Sequence, residues 1–283
     1  MGNAHPDRVP ADVRVGAGHA DDRVLNVHYS RSSDLLAPDT MITSPSTPYT
    51  SYRDSFGNWC NRVTAPAGTF QIRADTVIND LGLPDEIAPT ARQHAVQDLP
   101  EDALLYLLPS RYADSDRLAD VAWDLFGDTE PGWSRVQAIN QWVHDHITFG
   151  YQWAQPSKTA WDAYHEGRGV CRDYAHLGIA FCRALNIPAR YCTGCVAGVE
   201  LATPDEPMDF SGWFEVYLDH RWFTVDPRNL TPMTGRILIA QGGRRRRRDH
   251  HQLRPQHPHR LPGLGPRTTS QLMWALPIST LKY

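Results

Sequence analysis

One stretch, GRGVCRDYAHLGIAFCRALNIPARY from Gly167 to Tyr191, constrains the fold more than any other part of the chain. A glycine-containing turn leads into apolar residues at helical spacing, and Pro188 ends that pattern because it disfavours the α conformation of the residue before it. We therefore expect a helix that begins near Cys171. A cysteine at that position meets the unpaired N–H groups and the positive end of the helix dipole, which both favour a thiolate.

Three segments with helical spacing precede this helix: DSDRLADVAWDLFGD, SRVQAINQWVHDHI and SKTAWDAYHEG. Ser115 and Ser134 are the expected N-caps of the first two, and Gly167 is expected to end the third. Three strand-like runs follow, ARYCTGCVAG, FSGWFEVYL and RWFTVDP, and the last two form an expected hairpin at Asp219-His220. Helices followed by an antiparallel sheet predict an α+β domain, to which we assign residues 96–240.

Residues 23–95 precede that domain and show a different pattern. Short runs that alternate apolar and polar residues, among them CNRVTAPAG and TFQIRADTVIND, lie between clusters of Pro, Gly, Asp and Ser. This pattern predicts a small antiparallel β-domain. Residues 1–22 are polar and without a recognisable pattern, so we expect them to be poorly ordered.

The character of the chain changes after Ala240. Between residues 242 and 267, 20 of 26 positions are Arg, His, Pro or Gly, so we expect disorder over residues 241–283. Arg, Pro and Gly all have G/C-rich codons, so this tail, like residues 1–22, also fits GC-rich DNA read outside the native frame. The apolar run LMWALPISTL near the end of the chain either docks as a strand or stays loose.

The composition limits the partners and the compartment of the protein. A net charge of −4 argues against general nucleic-acid binding and leaves only non-specific contacts for the basic run Arg244–Arg248. Five cysteines in 283 residues do not make a disulfide scaffold, so reduced thiols in the cytoplasm are the simplest interpretation. Cys192 and Cys195 lack a second ligand pair, which favours core thiols over a metal site. We expect no signal peptide and no membrane span.

A thiolate enzyme also needs a proton acceptor, normally a histidine, and a group that orients it. Asp226 follows the last strand of the hairpin and is the candidate for the orienting carboxylate. Gly169 lets backbone and substrate come close to Cys171, and Arg172 adds positive potential beside it. The spacing alone leaves open a second interpretation, in which Cys171 is an inert, half-buried small hydrophobe.

The segment around Cys171, together with PMDFSGWFEVYLDHRWFTVDPRN, resembles the bacterial transglutaminase-like superfamily over residues 103–240. Residues 25–68 resemble the β-sandwich that precedes the catalytic domain in such proteins. The resemblance implies a papain-like α+β fold that uses Cys, His and Asp for acyl transfer. The cysteine attacks an amide of a protein or peptide, and an amine or water then resolves the thioester, without a metal or an organic cofactor.

Carried onto this sequence, the resemblance makes Cys171 the nucleophile and Asp226 the aspartate. The histidine is expected two residues before Trp213, where this chain has Ser211. A serine hydroxyl is no base near neutral pH, although it could hold a water or bond to Asp226. Three residues are expected to contact the substrate: Trp213, Gly169 and Arg172. The chain is therefore either an impaired thiol acyl-transfer protein, of transferase or peptidase type, or a pseudoenzyme that binds peptides or proteins in the same cleft.

No other histidine is an obvious substitute for the missing base. His220 is at the hairpin tip, roughly 30 Å from Ser211 at about 3.3 Å per strand residue. His176 follows Cys171 by five positions, so it points to a different face of the helix, and we expect a structural role. The remaining candidates are weaker: His165 near the Gly167 turn, and His144 and His146, which we expect at the surface.

Overall fold

The computed structural model describes residues 14–15, 19–196, 211–242 and 269–277. Residues 1–13 and the basic run Arg244–Arg248, for which we expect disorder and non-specific contacts, lie outside the described residues. Over the described ranges, no helix combines the length and the apolar character needed to cross a bilayer. The chain forms a β-rich N-terminal part and an α+β part, and each has its own buried core.

The described residues of the N-terminal part form seven short strands, and the last five of them lie in the region where alternating sequence runs predict a β-domain. Their bounds are β1 Arg14–Val15, β2 His19–Arg23, β3 Thr40–Ser44, β4 Tyr49–Arg53, β5 Trp59–Ala65, β6 Gly68–Thr69 and β7 Gln71–Asn79. Strands β2, β5 and β4 form one antiparallel sheet, and β3 pairs with β7 in a second one. Met41, Val63 and Ile72 come from both sheets and are buried in one cluster. The expected β-sandwich is confirmed.

The described residues that follow form five helices, and their bounds are α1 Glu101–Leu104, α2 Ala119–Phe126, α3 Trp133–His146, α4 Ala160–Glu166 and α5 Cys171–Ala184. Short 3-10 segments lie at Tyr29–Asp34, Val96–Asp98, Leu105–Leu107 and Tyr151–Trp153. Thr159 caps α4 with its side chain, and Gly167 ends it at a φ of 59°, a conformation that glycine adopts without steric cost. The predicted end of α4 and the predicted start of α5 are both confirmed.

The two predicted serine caps are wrong. The Leu118 N–H bonds back to the Ser115 carbonyl in a tight turn, so α2 begins only at Ala119. Gly132 precedes α3 at a φ of 107°, which makes Ser134 the second residue inside that helix. In both places a turn set by the neighbouring backbone decides where the regular hydrogen bonds start.

The α+β part is built on a four-stranded antiparallel sheet, and α5 packs against one of its faces. A short parallel pair, β8 Thr148–Phe149 and β9 Arg168–Gly169, leads into Cys171. The sheet strands are β10 Ala189–Val196, β11 Ser211–Leu218, β12 Arg221–Val225 and β13 Arg236–Gly242, in the order β12-β11-β10-β13. Gly178 lets α5 approach β11, because a Cβ at this position would lie 2.5 Å from the Phe214 ring. The predicted α+β class is confirmed.

The hairpin between β11 and β12 turns at Asp219 and His220, as the sequence predicts. Both residues have positive φ, 45° and 65°, which matches the strand twist of a two-residue hairpin. This tight turn fixes the register that places Phe214 opposite Val225. The register in turn determines which residue of β11 faces Asp226.

Among the described residues, three strands lie at least partly in segments for which the sequence predicts disorder, and the first of them is β1. Strand β2 begins at His19 and pairs with β5, where Arg62 Nε lies 3.0 Å from the Asp22 carboxylate. The last strand, β14 Thr269–Pro277, pairs along β7, so part of LMWALPISTL docks as a strand. Such pairing uses the N–H and C=O groups of a strand far away in sequence, which composition does not reveal. The domain boundaries at residues 22, 95 and 240 stay predictions.

Candidate functional site

Cys171 is the first residue of α5, and its side chain is half-buried. The Val170 N–H donates to Asp173 Oδ2 at 2.8 Å, which closes the turn into the helix. Gly169 makes this closure possible, because a Cβ there would lie 2.5 Å from the same carboxylate. Burial raises the pKa of Asp173, while the hydrogen bond from Val170 and the nearby Arg172 oppose that shift. The start of α5 is therefore held by a buried carboxylate two residues after the thiol.

Arg172 is buried, and its guanidinium is engaged within the protein. Its Nη2 donates to the Gln155 carbonyl at 2.6 Å, and its Nε lies 3.6 Å from Asp173 Oδ1. Arg172 directly follows Cys171 in the chain, as the sequence indicates. Its side chain, however, connects α5 to the loop before α4 through the hydrogen bond to Gln155. A substrate contact by Arg172, like one by Gly169, stays a prediction.

Ser211 begins β11, and this end of the strand lies against the first turn of α5. The Thr193 hydroxyl donates to the Ser211 carbonyl at 2.9 Å and holds the strand end on β10. A Cβ at Gly212 would lie 3.3 Å from the Arg172 nitrogen and 2.7 Å from the Tyr191 hydroxyl. Gly212 thus brings the start of β11 against the helix that carries Cys171, whereas alternation along the strand puts the Ser211 side chain on the opposite face from this contact.

Trp213 lies on the side of the sheet that faces away from α5. Side chains alternate along a strand, and the neighbouring Phe214 contacts α5 at Gly178. The indole is only 2% exposed, and the Arg236 guanidinium carbon lies 4.9 Å from the centroid of its ring. A substrate contact by Trp213 stays a prediction, and the observed contact of the indole is with Arg236.

The Asp226 carboxylate is buried and fully hydrogen-bonded. Its Oδ1 accepts from the backbone N–H groups of Arg228 and Asn229, at 3.1 and 3.3 Å. Its Oδ2 accepts from Asn229 Nδ2 and from Arg236 Nη2, both at 2.8 Å. A carboxylate offers about four acceptor positions, and these four hydrogen bonds occupy them. A hydrogen bond from Ser211 to Asp226, which the sequence left open, is not formed between these two described residues.

Arg236 joins two carboxylates that the sequence did not connect, the buried Asp226 and the partly buried Asp85. Its side chain is 8% exposed and lies 2.8 Å from oxygens of both Asp226 and Asp85. Sequence reasoning missed Arg236 and Asp85, because they are 151 residues apart and neither belongs to a motif. Asn229 was within reach of such reasoning, since a polar residue in the turn after an aspartate commonly bonds back to it.

The histidines on α3 differ from the expectation that they lie at the surface, because both are half-buried and hydrogen-bonded. His144 Nδ1 lies 2.9 Å from the Pro227 carbonyl, next to the Asp226 turn. His146 Nε2 lies 2.5 Å from the Tyr164 carbonyl and its ring stacks on Trp142. Neither ring is among the partners of Asp226.

The other candidate histidines lie where the sequence placed them. His176 is buried, and its ring stacks on Tyr112 with centroids 5.5 Å apart, which fits the expected structural role. His220 is exposed at the hairpin tip. His165 is exposed, and its Nδ1 lies 2.9 Å from the Trp161 carbonyl. Within the described part of the chain, Asp226, the predicted orienting carboxylate, is therefore paired with an arginine and not with an imidazole.

Metal ligation finds no support in the part of the chain that the structure describes. No group of three or more His, Cys, Asp and Glu side chains there has the arrangement of a metal site. Cys192 and Cys195 are both completely buried. Burial raises the pKa of Cys192, and the nearby Glu215 adds to that shift, so this thiol stays protonated.

Comparison with known proteins agrees with this geometry. Residues 120–227, which contain Cys171, Ser211 and Asp226, match the model of the transglutaminase-like superfamily. The uncharacterized protein ML0607 of Mycobacterium leprae (strain TN) is 26% identical over 141 residues, which are 49% of this chain and 50% of that protein. The chain thus spans about half the length of this curated relative.

A solved structure covers more of the chain. The crystal structure described as "a Putative Cysteine Protease from Cytophaga hutchinsonii" is 30% identical, with a TM-score of 0.65, and the likeness covers 81% of this chain and 78% of that one. An agreement of this extent, added to the match over the candidate site, shows that the chain belongs to the transglutaminase-like superfamily.

Proposed function

We propose that the protein is a thiol acyl-transfer protein of transferase or peptidase type, in which Cys171 is the nucleophile and turnover is strongly attenuated. The observation that carries this proposal is the position of Cys171 as first residue of the 14-residue helix α5, beside the end of β11. The helix dipole and the unpaired N–H groups of the first turn stabilise a thiolate there. The substrate class that we propose is a protein or peptide amide.

The proposed reaction has two steps. The Cys171 thiolate attacks an amide carbonyl carbon, the C–N bond breaks, and the amine leaves with a proton taken from solvent. The resulting thioester is then attacked by an amine or by water, and the thiolate returns. The Arg172 backbone N–H, which the small Gly212 leaves within reach, is our candidate donor to the oxyanion. The chemistry requires no cofactor.

We attribute the low turnover to Ser211, which stands on β11 at the position where the base is expected. Ser211 has no basic lone pair near neutral pH, so neither the thiol nor the leaving amine exchanges its proton with a general base. Such a base typically contributes about 10²–10⁴-fold to the rate. The four hydrogen bonds to Asp226 show that this carboxylate is stable in the fold without a histidine partner.

The Arg236–Asp226 ion pair favours a second candidate function, a pseudoenzyme that binds peptides or proteins in the same cleft. An orienting carboxylate that is neutralised by a buried guanidinium has a structural role, which a binding module needs as much as an enzyme does. The two candidates differ in one property, the ionisation of the Cys171 thiol. An acyl-transfer protein requires a thiolate near neutral pH, and a binding module does not.

Alkylation separates the two candidates, with a second thiol of the same helix as internal control. The rate of carboxamidomethylation by iodoacetamide is measured against pH and assigned by peptide mapping to Cys171 and Cys182. We expect the Cys171 rate to reach a plateau well below the ordinary thiol pKa of about 8.5. Cys182 is completely buried, and burial raises its pKa, so it should stay unlabelled. A Cys171 rate that still rises through about pH 8.5 would favour the binding module.

A direct search for the acyl-enzyme complements the alkylation. The protein is incubated with a casein digest as a mixed peptide pool, and intact-mass spectrometry records adducts that hydroxylamine removes, as it does from thioesters. We expect a slow adduct on Cys171 and none in Cys171→Ala. Peptide binding without any adduct would contradict acyl transfer and support the pseudoenzyme.

The cytoplasm is our proposed compartment, because it keeps thiols reduced. The prediction is checked by fractionating cells and by trapping the thiols with an alkylating agent during lysis. All five cysteines should be recovered as thiols from the cytoplasmic fraction. Recovery outside the cytoplasm would contradict this assignment without affecting the proposed chemistry.

A further inference from the structure

A cavity of about 390 Å³ lies between the four-stranded sheet and the 3-10 segment Tyr29–Asp34. We call it the outer cavity, because Trp213 in its wall is on the sheet face away from α5. The side chains that matter for its chemistry are Arg31, Arg190, Trp213, Glu215, Arg236 and Gln241. Tyr29 and Ser30 also line it and are exposed, so the cavity reaches the protein surface beside them. Its volume is within the range of small-molecule sites, roughly 300–1,000 Å³.

Three of the lining side chains each carry a buried polar atom without a hydrogen-bond partner. Two are donors, Trp213 Nε1 and Arg236 Nη1, and the third is the acceptor Gln241 Oε1. The Trp213 and Arg236 side chains are 2% and 8% exposed, and they stack on each other. A buried polar group without a hydrogen-bond partner is destabilising, so three of them at one cavity favour a partner that is not part of this chain.

The orientation of the Gln241 amide is fixed by its surroundings. Its Nε2 donates to the Phe56 carbonyl at 3.2 Å, and its backbone N–H donates to Asn58 Oδ1 at 2.8 Å. A flipped amide would set Oε1 against the Phe56 carbonyl, which is repulsive. Gln241 Oε1 therefore remains an acceptor, and a partner that offers only acceptors, such as a carboxylate, would leave it unsatisfied.

The charges around the outer cavity do not favour the binding of an anion. Its three guanidinium groups are already neutralised, and the ion pairs are Arg31 with Asp34 and Asp80, Arg190 with Glu215, and Arg236 with Asp85 and Asp226. These pairs contain five carboxylates against three cations. His28 adds no positive charge near neutral pH, because burial lowers its pKa. A negatively charged ligand would add to an existing excess of negative charge.

We propose that the outer cavity binds a small neutral ligand that carries an amide group. Its carbonyl oxygen would accept from Trp213 Nε1 and Arg236 Nη1, and its N–H would donate to Gln241 Oε1. A primary carboxamide and a peptide amide both supply this pattern, and neither carries charge. Water supplies it too, and is the competitor that a ligand must displace. Neither Cys171 nor Ser211 lines the outer cavity, and the proposal does not depend on the activity of the nucleophile.

The proposal is tested on the full chain by the indole N–H signals of ¹⁵N-labelled protein. The probes are acetamide for a carboxamide and N-methylacetamide for a peptide amide, with acetate as the isosteric anion. The chain has nine tryptophans, and Trp213→Phe identifies the signal of interest. We expect saturable shifts of the Trp213 signal with at least one amide and none with acetate. Trp123, which is 48% exposed, reports any general cosolvent effect.

Two variants sharpen the assignment. Gln241→Met removes the acceptor at similar volume and should weaken amide binding about 5-fold, the equivalent of one hydrogen bond. Arg221→Lys, at an exposed pair with Glu86, is the control and should leave the binding unchanged. Saturation by acetate, equal shifts at Trp123 and Trp213, or no response to either amide would each overturn the proposal. Unchanged amide affinity in Gln241→Met would overturn it as well.

Discussion

The two sides of the candidate site are built in different ways. On the helix side, Cys171 is held by Val170 and Asp173, which lie within two residues of it. On the strand side, Asp226 is held by Arg236, which is itself anchored to Asp85 from the linker after β7. The nucleophile position is thus a local structure, whereas the carboxylate that would orient a base is part of a long-range ion network. A substitution at Ser211 can therefore leave intact both the hydrogen bond between Val170 and Asp173 and the ion pairs of Arg236.

The strongest test of this difference restores the base. Ser211→His should raise amide turnover by up to about 10²–10⁴-fold, the usual contribution of a general base. We expect the lower end of that range, because Arg236 and Asn229 already occupy Asp226 Oδ2, where a histidine would bond. The measurement is release of amine from the peptide pool over time.

Two controls accompany that experiment. The glutamine of Ser211→Gln is similar in length to histidine but has no basic nitrogen, so this variant should keep the parent rate. Ser211→His combined with Cys171→Ala should lose the whole gain. Equal rates for Ser211→His and the parent would mean that another group acts as base, or that the strand side is not part of the reaction.

The second effect concerns stability on the strand side. Arg236→Met leaves the buried Asp226 and the partly buried Asp85 without their cation, which should lower the free energy of unfolding by about 3–5 kcal/mol. Arg221→Met removes an exposed partner of Glu86 and should cost about 0.2–1 kcal/mol. Urea unfolding of both variants measures the contrast. Similar losses of unfolding free energy in the two variants would show that the ion pairs of Arg236 stabilise the protein no more than an exposed pair does.

The third effect concerns the packing of α5 against β11, where Gly178 contacts the Phe214 ring. Alanine normally stabilises a helix by about 1 kcal/mol relative to glycine, but at position 178 its Cβ would lie 2.5 Å from the Phe214 ring. Gly178→Ala should therefore destabilise the protein, by about 1–2 kcal/mol, because overpacking outweighs propensity. In a Phe214→Leu background the same substitution should cost less, since the smaller side chain makes room. A double-mutant cycle of unfolding free energies gives the coupling, and additive effects would refute the close approach of α5 to β11.

The smallest effect is a pH dependence beside the outer cavity. His28 Nε2 donates to the Phe56 carbonyl at 3.0 Å, and burial lowers the pKa of His28 below its ordinary 6.5. As the pH falls below 6.5, the unfolded chain takes up this proton before the folded chain does. The free energy of unfolding should therefore decrease, by at most about 1.4 kcal/mol per pH unit, until the folded pKa is reached. His28→Gln should flatten the profile between pH 7 and 5, and an unchanged slope would contradict the buried neutral imidazole.

Local patterns in the sequence were sufficient for most elements that position the site. Helical spacing and Pro188 predicted α5, and Asp219-His220 predicted the hairpin that sets the register of Asp226. The serine caps of α2 and α3 failed because turns before each helix, rather than the capping residue type, decide where it starts. Strands β1 and β2 were missed, and the docking of β14 was left open, because edge pairing is decided by the partner strand.

The sequence by itself predicted the nucleophile, the superfamily resemblance and the serine at the expected base position, since each depends on contiguous motifs. Only the tertiary structure decided what replaces the missing histidine around Asp226. The reason is physical: a buried carboxylate must be satisfied by whatever donors the fold brings within hydrogen-bond distance, and Arg236 comes from another strand. The outer cavity is likewise a product of packing, because its walls come from both parts of the chain.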